Sequence, residues 1–180
     1  MRLGPVTPCH PTAQIGPPWH TAEQWREINV TFGYLKRRYG TELNRAQTLA
    51  VELQARLTSI FSLMDELCRC TCLSCPKPCC QAATVWFDFQ DLLFLHLAGH
   101  SPPISQPLHS NGGRCRFLDP GGCRLPRILR PWICTWYLCP AQTSVLHKHR
   151  RCLDDAFLQI KRFRGLMEDE FVSIICGRPP

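Results

Sequence analysis

The chain has 180 residues, about one domain in length, and its 44% hydrophobic and 19% charged residues exclude a disordered protein. The net charge of +7 is weak evidence for a polyanionic partner, because basic residues also stabilise thiolate sites. The 13 cysteines stand out, since such a density is typical of secreted disulfide scaffolds or of intracellular metal proteins.

The N-terminal sequence favours the intracellular class. Residues 1–20 contain five prolines, which interrupt any apolar run of the ~7–15 residues that a secretory signal needs. No window approaches the ~18 apolar residues of a membrane-spanning helix. We therefore expect a cytoplasmic protein with free thiols and no membrane partner, and a flexible Pro-rich tail over residues 1–20.

Two helices are predicted over residues 21–71, joined as an antiparallel helical hairpin, with a single bent helix as the alternative. Thr21 and Gln24 have capping-box spacing, Gly40 could end the first helix in the left-handed conformation, and Thr41 could cap the second. Both helices carry an apolar stripe at steps of three and four, which predicts core packing and leaves self-association through a coiled-coil seam as an alternative. The stripes are Trp25, Ile28, Phe32, Leu35 and Tyr39 in the first helix, and Leu43, Ala46, Ala50, Leu53, Leu57, Ile60, Met64 and Leu67 in the second.

The middle of the chain contains one further capped helix. The β-branched and aromatic residues of 82–89 predict a short strand or an extended segment. Asp88 and Asp91 have capping-box spacing for a helix from residue 89 to about 98, which Gly99 should end.

A loop and a last helix follow. Residues 100–113 are rich in Pro, Ser and Gly and should be exposed, and a helix is predicted over roughly 144–174, although Gly165 could divide it. The basic runs 147–151 and 161–164 predict a solvated face more than a nucleic-acid site. The apolar stripe of this helix is Leu153, Phe157, Ile160, Phe163, Met167, Phe171 and Ile174.

Eight cysteines form two groups of four. The first has the order Cys-x2-Cys-x3-Cys-Cys and the second Cys-x7-Cys-x10-Cys-x4-Cys. A Cys-x2-Cys turn can aim two thiolates at one ion, and four thiolates complete a tetrahedral zinc site or hold a four-iron cluster. The groups are Cys72, Cys75, Cys79 and Cys80, and Cys115, Cys123, Cys134 and Cys139.

The doublet Cys79–Cys80 restricts how these thiols can be shared. Neighbouring side chains diverge by about 100° in a helix and about 180° in a strand, so two adjacent thiols rarely serve one ion. The doublet favours two metal sites, or one site with a redox thiol beside it. Spacing alone leaves open which thiol joins which site.

The residues around the second group suit metal ligands. Turn sequences at 111–113 and 119–122 could present backbone N–H groups to thiolates, which lowers the pKa of a thiol. Trp132, Trp136 and Tyr137 could exclude water from the metal. The competing interpretation is that these are surface turns and core aromatic residues.

The segments CLSCPKPCC, GGRCRFLDPGGCRLP and RPWICTWYLC follow one another over about residues 72–140. In this order they resemble the eight-cysteine family known as the CxxCxxCC or YkgJ-like cysteine cluster proteins. The Pro-Lys-Pro spacer before the doublet is one residue longer than the family's usual two. The resemblance implies a zinc- or iron-chelating domain, in some members an iron–sulfur protein, whose ligands here are Cys72, Cys75, Cys79, Cys80, Cys115, Cys123, Cys134 and Cys139.

The other cysteines fall outside this pattern. Cys68 and Cys70 are expected to have unligated, structural roles, with spare ligands or redox thiols as the alternative. Cys9, Cys152 and Cys176 are isolated and are interpreted as small hydrophobic residues.

The sequence therefore predicts a mainly α protein with an N-terminal helical hairpin, an irregular metal-stabilised core over 72–140 and a C-terminal helix within 141–180 that packs on it. Its predicted function is to chelate zinc or iron, with the metal mainly structural. An iron–sulfur protein with a redox or enzyme-accessory role is the alternative, followed by a nucleic-acid-associated zinc module. The motifs identify no catalytic residues.

Overall fold

The computed structural model describes residues 18–73, 75–76, 78–82, 84–108, 114–146 and 149–177. The predicted mainly α fold, with N-terminal helices, an irregular cysteine-rich stretch and a C-terminal helix, is confirmed. No helix in the described part of the chain has both the length and the apolar character needed to cross a bilayer. The elements are α1 (Ala22–Arg38), α2 (Asn44–Thr71), α3 (Cys79–Ala82), α4 (Phe89–Leu97), β1 (Leu118–Asp119), β2 (Gly122–Cys123), a 3-10 helix (Arg127–Leu129), α5 (Ile133–Trp136), α6 (Pro140–Leu146) and α7 (Arg150–Ile175).

The long helices α2 and α7 pack along each other and form the centre of the core. The apolar stripe predicted for the second helix is buried along its whole length, so that face is covered within the chain. The stripe predicted for the last helix also faces inward. Its buried members are Leu153, Ile160, Met167 and Phe171, and its partly buried members are Phe157, Phe163 and Ile174. Each fully buried aliphatic side chain contributes roughly 1.5–3 kcal/mol to stability.

The first helix packs mainly against α4. Its residues Trp25 and Phe32 are buried, and the Phe32 ring stacks on His96 of α4 with 5.1 Å between ring centroids. The predicted capping box is present, because Thr21 and Gln24 each bond the other's backbone N–H through their side chains.

The junction between α1 and α2 differs from the prediction. Gly40 does not take a left-handed conformation, and the residue that ends α1 is Tyr39, with φ −105°. Thr41 does not cap α2, whose N-cap is Leu43 without a side-chain hydrogen bond. Leu43 is fully buried and its N–H bonds Tyr39 O at 3.2 Å, so burial of this leucine, rather than a polar cap, determines where α2 begins.

The predicted cap and stop of α4 are confirmed. Asp88 and Asp91 form the capping box, and Gly99 follows the helix with φ 81°. The residues before α4 form no strand in the described part of the chain. The buried side chain of Gln106 takes the place of a neighbouring strand, because its Oε1 accepts from Phe87 N at 2.8 Å and its Nε2 donates to Phe87 O at 3.1 Å.

The loop predicted to be exposed is partly buried. Gln106 and Pro107 are both buried, while residues 109–113 of this loop lie outside the described residues. The amide of Gln106 has to reach the backbone of Phe87, and this draws the loop inward.

The end of the predicted flexible tail is attached to the core. Gln106 Nε2 donates to Pro18 O at 2.9 Å, and Trp19 is partly buried against the core. Residues 1–17 of the predicted tail lie outside the described residues.

The C-terminal segment contains two helices where one was predicted. The short α6 ends at Leu146 and α7 begins at Arg150, with residues 147 and 148 outside the described part. Gly165 lies inside α7 and does not divide it. Arg164, predicted on a solvated basic face, is buried, because it pairs with two carboxylates of α4 and its cap.

Candidate metal centre

Four thiols from four separate segments are linked by electrostatic interactions, in which Cys115 and Cys134 interact with both of the others. They are Cys80 on α3, Cys115 before β1, Cys123 on β2 and Cys134 on α5, and together they are called the inner group. Burial raises the pKa of Cys115 and of Cys134, and the charge of Cys123 raises both further. The pKa of Cys80 is raised first by its hydrogen bond to Cys79 and by burial, and then also by the charges of Cys134 and Cys115.

The backbone around Cys115 holds two members of the inner group together. Cys115 N donates to Cys80 O at 2.9 Å, which joins this turn to α3. Leu118 N donates to Cys115 O at 3.1 Å, and the N–H groups of Phe117 and Leu118 face the Cys115 thiol. These N–H groups partly offset the increase that burial causes in the pKa of Cys115. Backbone N–H donors to this thiol were predicted from the turn that precedes Cys115, whereas the observed donors belong to the two residues Phe117 and Leu118 that follow it.

The position of Cys123 follows from a tight hairpin. Leu118 pairs with Cys123 and Asp119 with Gly122 in the antiparallel ladder of β1 and β2. Gly122 has φ 110°, a conformation that favours glycine, so the predicted turn at residues 119–122 is present. The other predicted turn, at residues 111–113, lies outside the described residues.

Cys134 lies on the short helix α5, next to buried polar groups of the core. Trp132 N donates to Asp91 Oδ1 at 3.0 Å, which fixes the start of α5 against α4. Trp132 is partly buried against the core. The predicted shielding by Trp136 and Tyr137 is wrong, because each is 45% exposed and their rings pack on each other at the surface.

Three more thiols form a second group at the end of α2 and the start of α3. These are Cys68, Cys72 and Cys79, called the outer group. Gln142 Nε2 donates to Cys68 Sγ at 3.6 Å and to Cys72 Sγ at 3.8 Å. Burial raises the pKa of Cys72 to about 11, and the charges of Cys68 and Cys79 contribute to the increase.

Cys68 was expected to be unligated, with a spare ligand or redox thiol as the alternative, although the sequence contains a signal that groups it with Cys72. Cys68 and Cys72 are four residues apart, and on a helix this spacing places two side chains on one face. Sequence reasoning missed Arg127, which donates from Nη2 to Cys68 Sγ at 3.4 Å and from Nε to Asp65 Oδ1 at 2.6 Å. No local pattern could show that contact, because 59 residues separate Arg127 from Cys68.

The neighbours Cys79 and Cys80 belong to different groups. Interaction between the two thiols lowers the pKa of Cys79 to about 6 and raises the pKa of Cys80. The two sulfur atoms therefore lie side by side at the boundary between the groups, and do not show the wide divergence expected of adjacent side chains.

Of the last two predicted ligands, Cys75 contacts the outer group through its backbone, and Cys139 contacts Gln142, which donates to that group. Cys75 N donates to Cys72 O at 3.2 Å, and Cys139 N donates to Gln142 Oε1 at 3.2 Å. Both side chains are partly exposed, and the described cysteines are free thiols. Cys9 lies outside the described residues.

The donor chemistry of the inner group fits a metal ion. Four cysteine thiols are the ligands of structural zinc and of four-iron clusters. Within the described ranges, no three or more His, Cys, Asp or Glu side chains are arranged to hold a metal ion. Binding would therefore require the sulfur atoms to turn towards a common point, which rotation about the Cα–Cβ bonds allows.

Comparison with known proteins found no match, whether with models of protein families, with curated proteins or with solved structures. The resemblance to the YkgJ-like cysteine cluster proteins therefore stays a prediction from the cysteine pattern.

Proposed function

We propose that this protein binds zinc or iron through its cysteines and that the metal holds the cysteine-rich stretch together. The inner group is the observation that carries the proposal. Its members Cys80, Cys115, Cys123 and Cys134 come from four segments with little regular structure between them. A bound ion would join these segments and contribute on the order of 10 kcal/mol to folding.

The charges around the thiols also support a metal site. Four thiolates on one divalent ion carry an excess negative charge, which nearby cations stabilise. The guanidinium of Arg130 acts on Cys134 in the inner group, and Arg127 donates to Cys68 in the outer group. Part of the basic excess of the chain therefore serves the thiols, which weakens the case for a nucleic-acid module.

Free thiols favour a reducing compartment. The cysteine pattern is that of a thiolate metal site, and thiols at this density are oxidised in secreted proteins but persist in the cytoplasm. We place the protein in the cytoplasm on this ground.

The test is elemental analysis of protein purified without oxygen, together with its visible spectrum. A colourless protein with stoichiometric zinc would support a structural zinc protein. A brown protein with iron and acid-labile sulfide would support the iron–sulfur alternative, which uses the same thiolates. A folded, fully reduced protein that contains neither metal and takes up no added Zn²⁺ would overturn the proposal.

A further inference from the structure

Cys68 lies outside the eight-cysteine pattern, yet two buried donors point at its sulfur. Arg127 Nη2 lies 3.4 Å and Gln142 Nε2 3.6 Å from Cys68 Sγ. Arg127 is 9% exposed and Gln142 is 6% exposed, so both donors have been removed from water. These two donors therefore hold the Cys68 sulfur in a fixed position beside the other thiols of the outer group.

The geometry also brings Cys68 close to Cys72. Both sulfur atoms lie close to one amide nitrogen, because Gln142 Nε2 donates to Cys68 Sγ at 3.6 Å and to Cys72 Sγ at 3.8 Å. The bond of 2.7 Å from Cys72 N to Cys68 O closes the last turn of α2, so both thiols leave the same face of the helix.

We propose that Cys68 is a metal ligand in a second site, with Cys72, Cys75 and Cys79. The inference rests on the proposed function and assigns its ligands. The site takes a thiophilic divalent cation such as Zn²⁺, and each thiol releases its proton to solvent on binding. The four ligands lie between the end of α2 and the start of α3, with Cys72 and Cys75 between the two helices. As in the inner group, their sulfur atoms would have to turn towards a common point to bind the ion.

Cys139 has a different role in this arrangement. Its backbone N–H donates to Gln142 Oε1, which orients the amide so that Nε2 faces Cys68 and Cys72. Cys139 therefore positions Gln142, and Cys68 takes the ligand place that the eight-cysteine pattern assigns to Cys139.

The experiment titrates the reduced full-length protein with Zn²⁺ and counts bound ions by native mass spectrometry. Wild type should bind two ions per chain. Cys68→Ala should bind only one tightly, or bind the second at least ~100-fold more weakly. Cys70→Ala is the matched control, since Cys70 is exposed on the same helix, and it should keep both ions. Retention of both ions by Cys68→Ala, with affinity within about twofold of wild type, would overturn the proposal.

Two further variants separate ligand loss from damage to the fold. Gln142→Glu keeps the size of the side chain but removes the donor, and should weaken the second ion about tenfold while leaving the inner-group ion in place. Cys139→Ala should keep both ions. Loss of the second ion in Cys139→Ala but not in Cys68→Ala would reverse the assignment.

The wild-type result distinguishes the two proposals. A wild-type protein that binds one Zn²⁺, and loses it on substitution of Cys115, would refute the second site while supporting the proposed function. A wild-type protein that is isolated with neither zinc nor iron and binds no added Zn²⁺ would refute both.

Discussion

Arg164 Nη1 donates a hydrogen bond of 2.6 Å to Asp91 Oδ1, and the two side chains are only 5% and 6% exposed. The same oxygen accepts from Trp132 N, and Arg164 Nη2 donates to both oxygens of Asp88 at 2.9 Å. This network joins α7 and α4 to the start of α5, which carries Cys134. The hydrophobic core and the inner group are thus connected through one buried arginine.

The first prediction concerns the removal of that arginine. Arg164→Met should lower the free energy of unfolding by about 3–5 kcal/mol, because it leaves the Asp91 carboxylate buried without its partner. Urea unfolding at pH 7 measures the loss. Arg150→Met is the matched control, since Arg150 pairs with Asp154 at the surface, and it should change stability by about 1 kcal/mol or less. Equal effects of the two variants would contradict the account of the network.

These pairings show where sequence reasoning succeeds and where it ends. The α2 stripe and the capping boxes at Thr21 and Asp88 were predicted because their partners lie three or four residues away. Arg164 was misassigned to a solvated face because its partner Asp91 is 73 residues distant. Periodicity identifies the face of a helix, but it does not show which distant charge reaches that face.

The same limit applies to the candidate metal centre. The doublet Cys79–Cys80 favoured a division of the thiols between sites but left open which thiol joins which. In the structure the thiols that act on one another with Cys80 are Cys115 and Cys134, and Cys123 acts on both of these. The Gln106 side chain that bonds Phe87 is a similar case, since 19 residues separate the two. Gln106 was predicted to be part of an exposed polar loop, but its side chain is buried and hydrogen-bonds the backbone of Phe87.

The second prediction is the pH dependence due to Asp91. Burial raises the pKa of Asp91 from 3.8 to about 6, with Arg164 opposing the increase. Between these pH values the folded state binds more protons than the unfolded state, so the contribution of this carboxyl to stability falls as the pH rises through this window. The stability of wild type relative to Asp91→Asn should therefore decrease by about 2–3 kcal/mol from pH 4 to pH 7.

Urea unfolding of both proteins at several pH values tests this dependence. Asp154→Asn, at the half-exposed pair, provides the control, and its difference from wild type should change little over the same range. A difference between wild type and Asp91→Asn that is constant with pH would show that Asp91 titrates normally.

The third prediction concerns His96, whose contribution to stability should rise with pH, whereas that of Asp91 falls. Burial, followed by the charge of Lys36, lowers the pKa of His96 from 6.5 to about 4. Between pH 4 and pH 6.5 the unfolded state binds more protons at His96 than the folded state does. The stability due to His96 is therefore present above pH 6.5 and is lost as the pH falls towards 4. The ring also bonds Asn29 Oδ1 at 2.9 Å and stacks on Phe32.

His96→Gln should therefore reduce the loss of stability between pH 7 and pH 4.5. The expected reduction is about 1 kcal/mol, because partial exposure of the ring screens the effect. Thermal unfolding at the two pH values measures it, with His149→Gln, at the start of α7, as the comparison. An unchanged acid sensitivity of His96→Gln would contradict the lowered pKa.

The last prediction tests the proposed structural role of a metal through Cys115. In Cys115→Ala the inner group keeps three thiols, so the variant should lose about one equivalent of Zn²⁺ and several kcal/mol of stability. Adding a strong chelator to wild type should lower the unfolding temperature, because removal of the ion breaks the links among α3, β2 and α5. The same chelator should have a much smaller effect on Cys115→Ala. Cys152→Ala removes an exposed thiol of α7 and should match wild type in zinc content and in its response to the chelator. If Cys115→Ala and wild type hold the same amount of zinc and respond equally to the chelator, the inner group does not bind the structural metal.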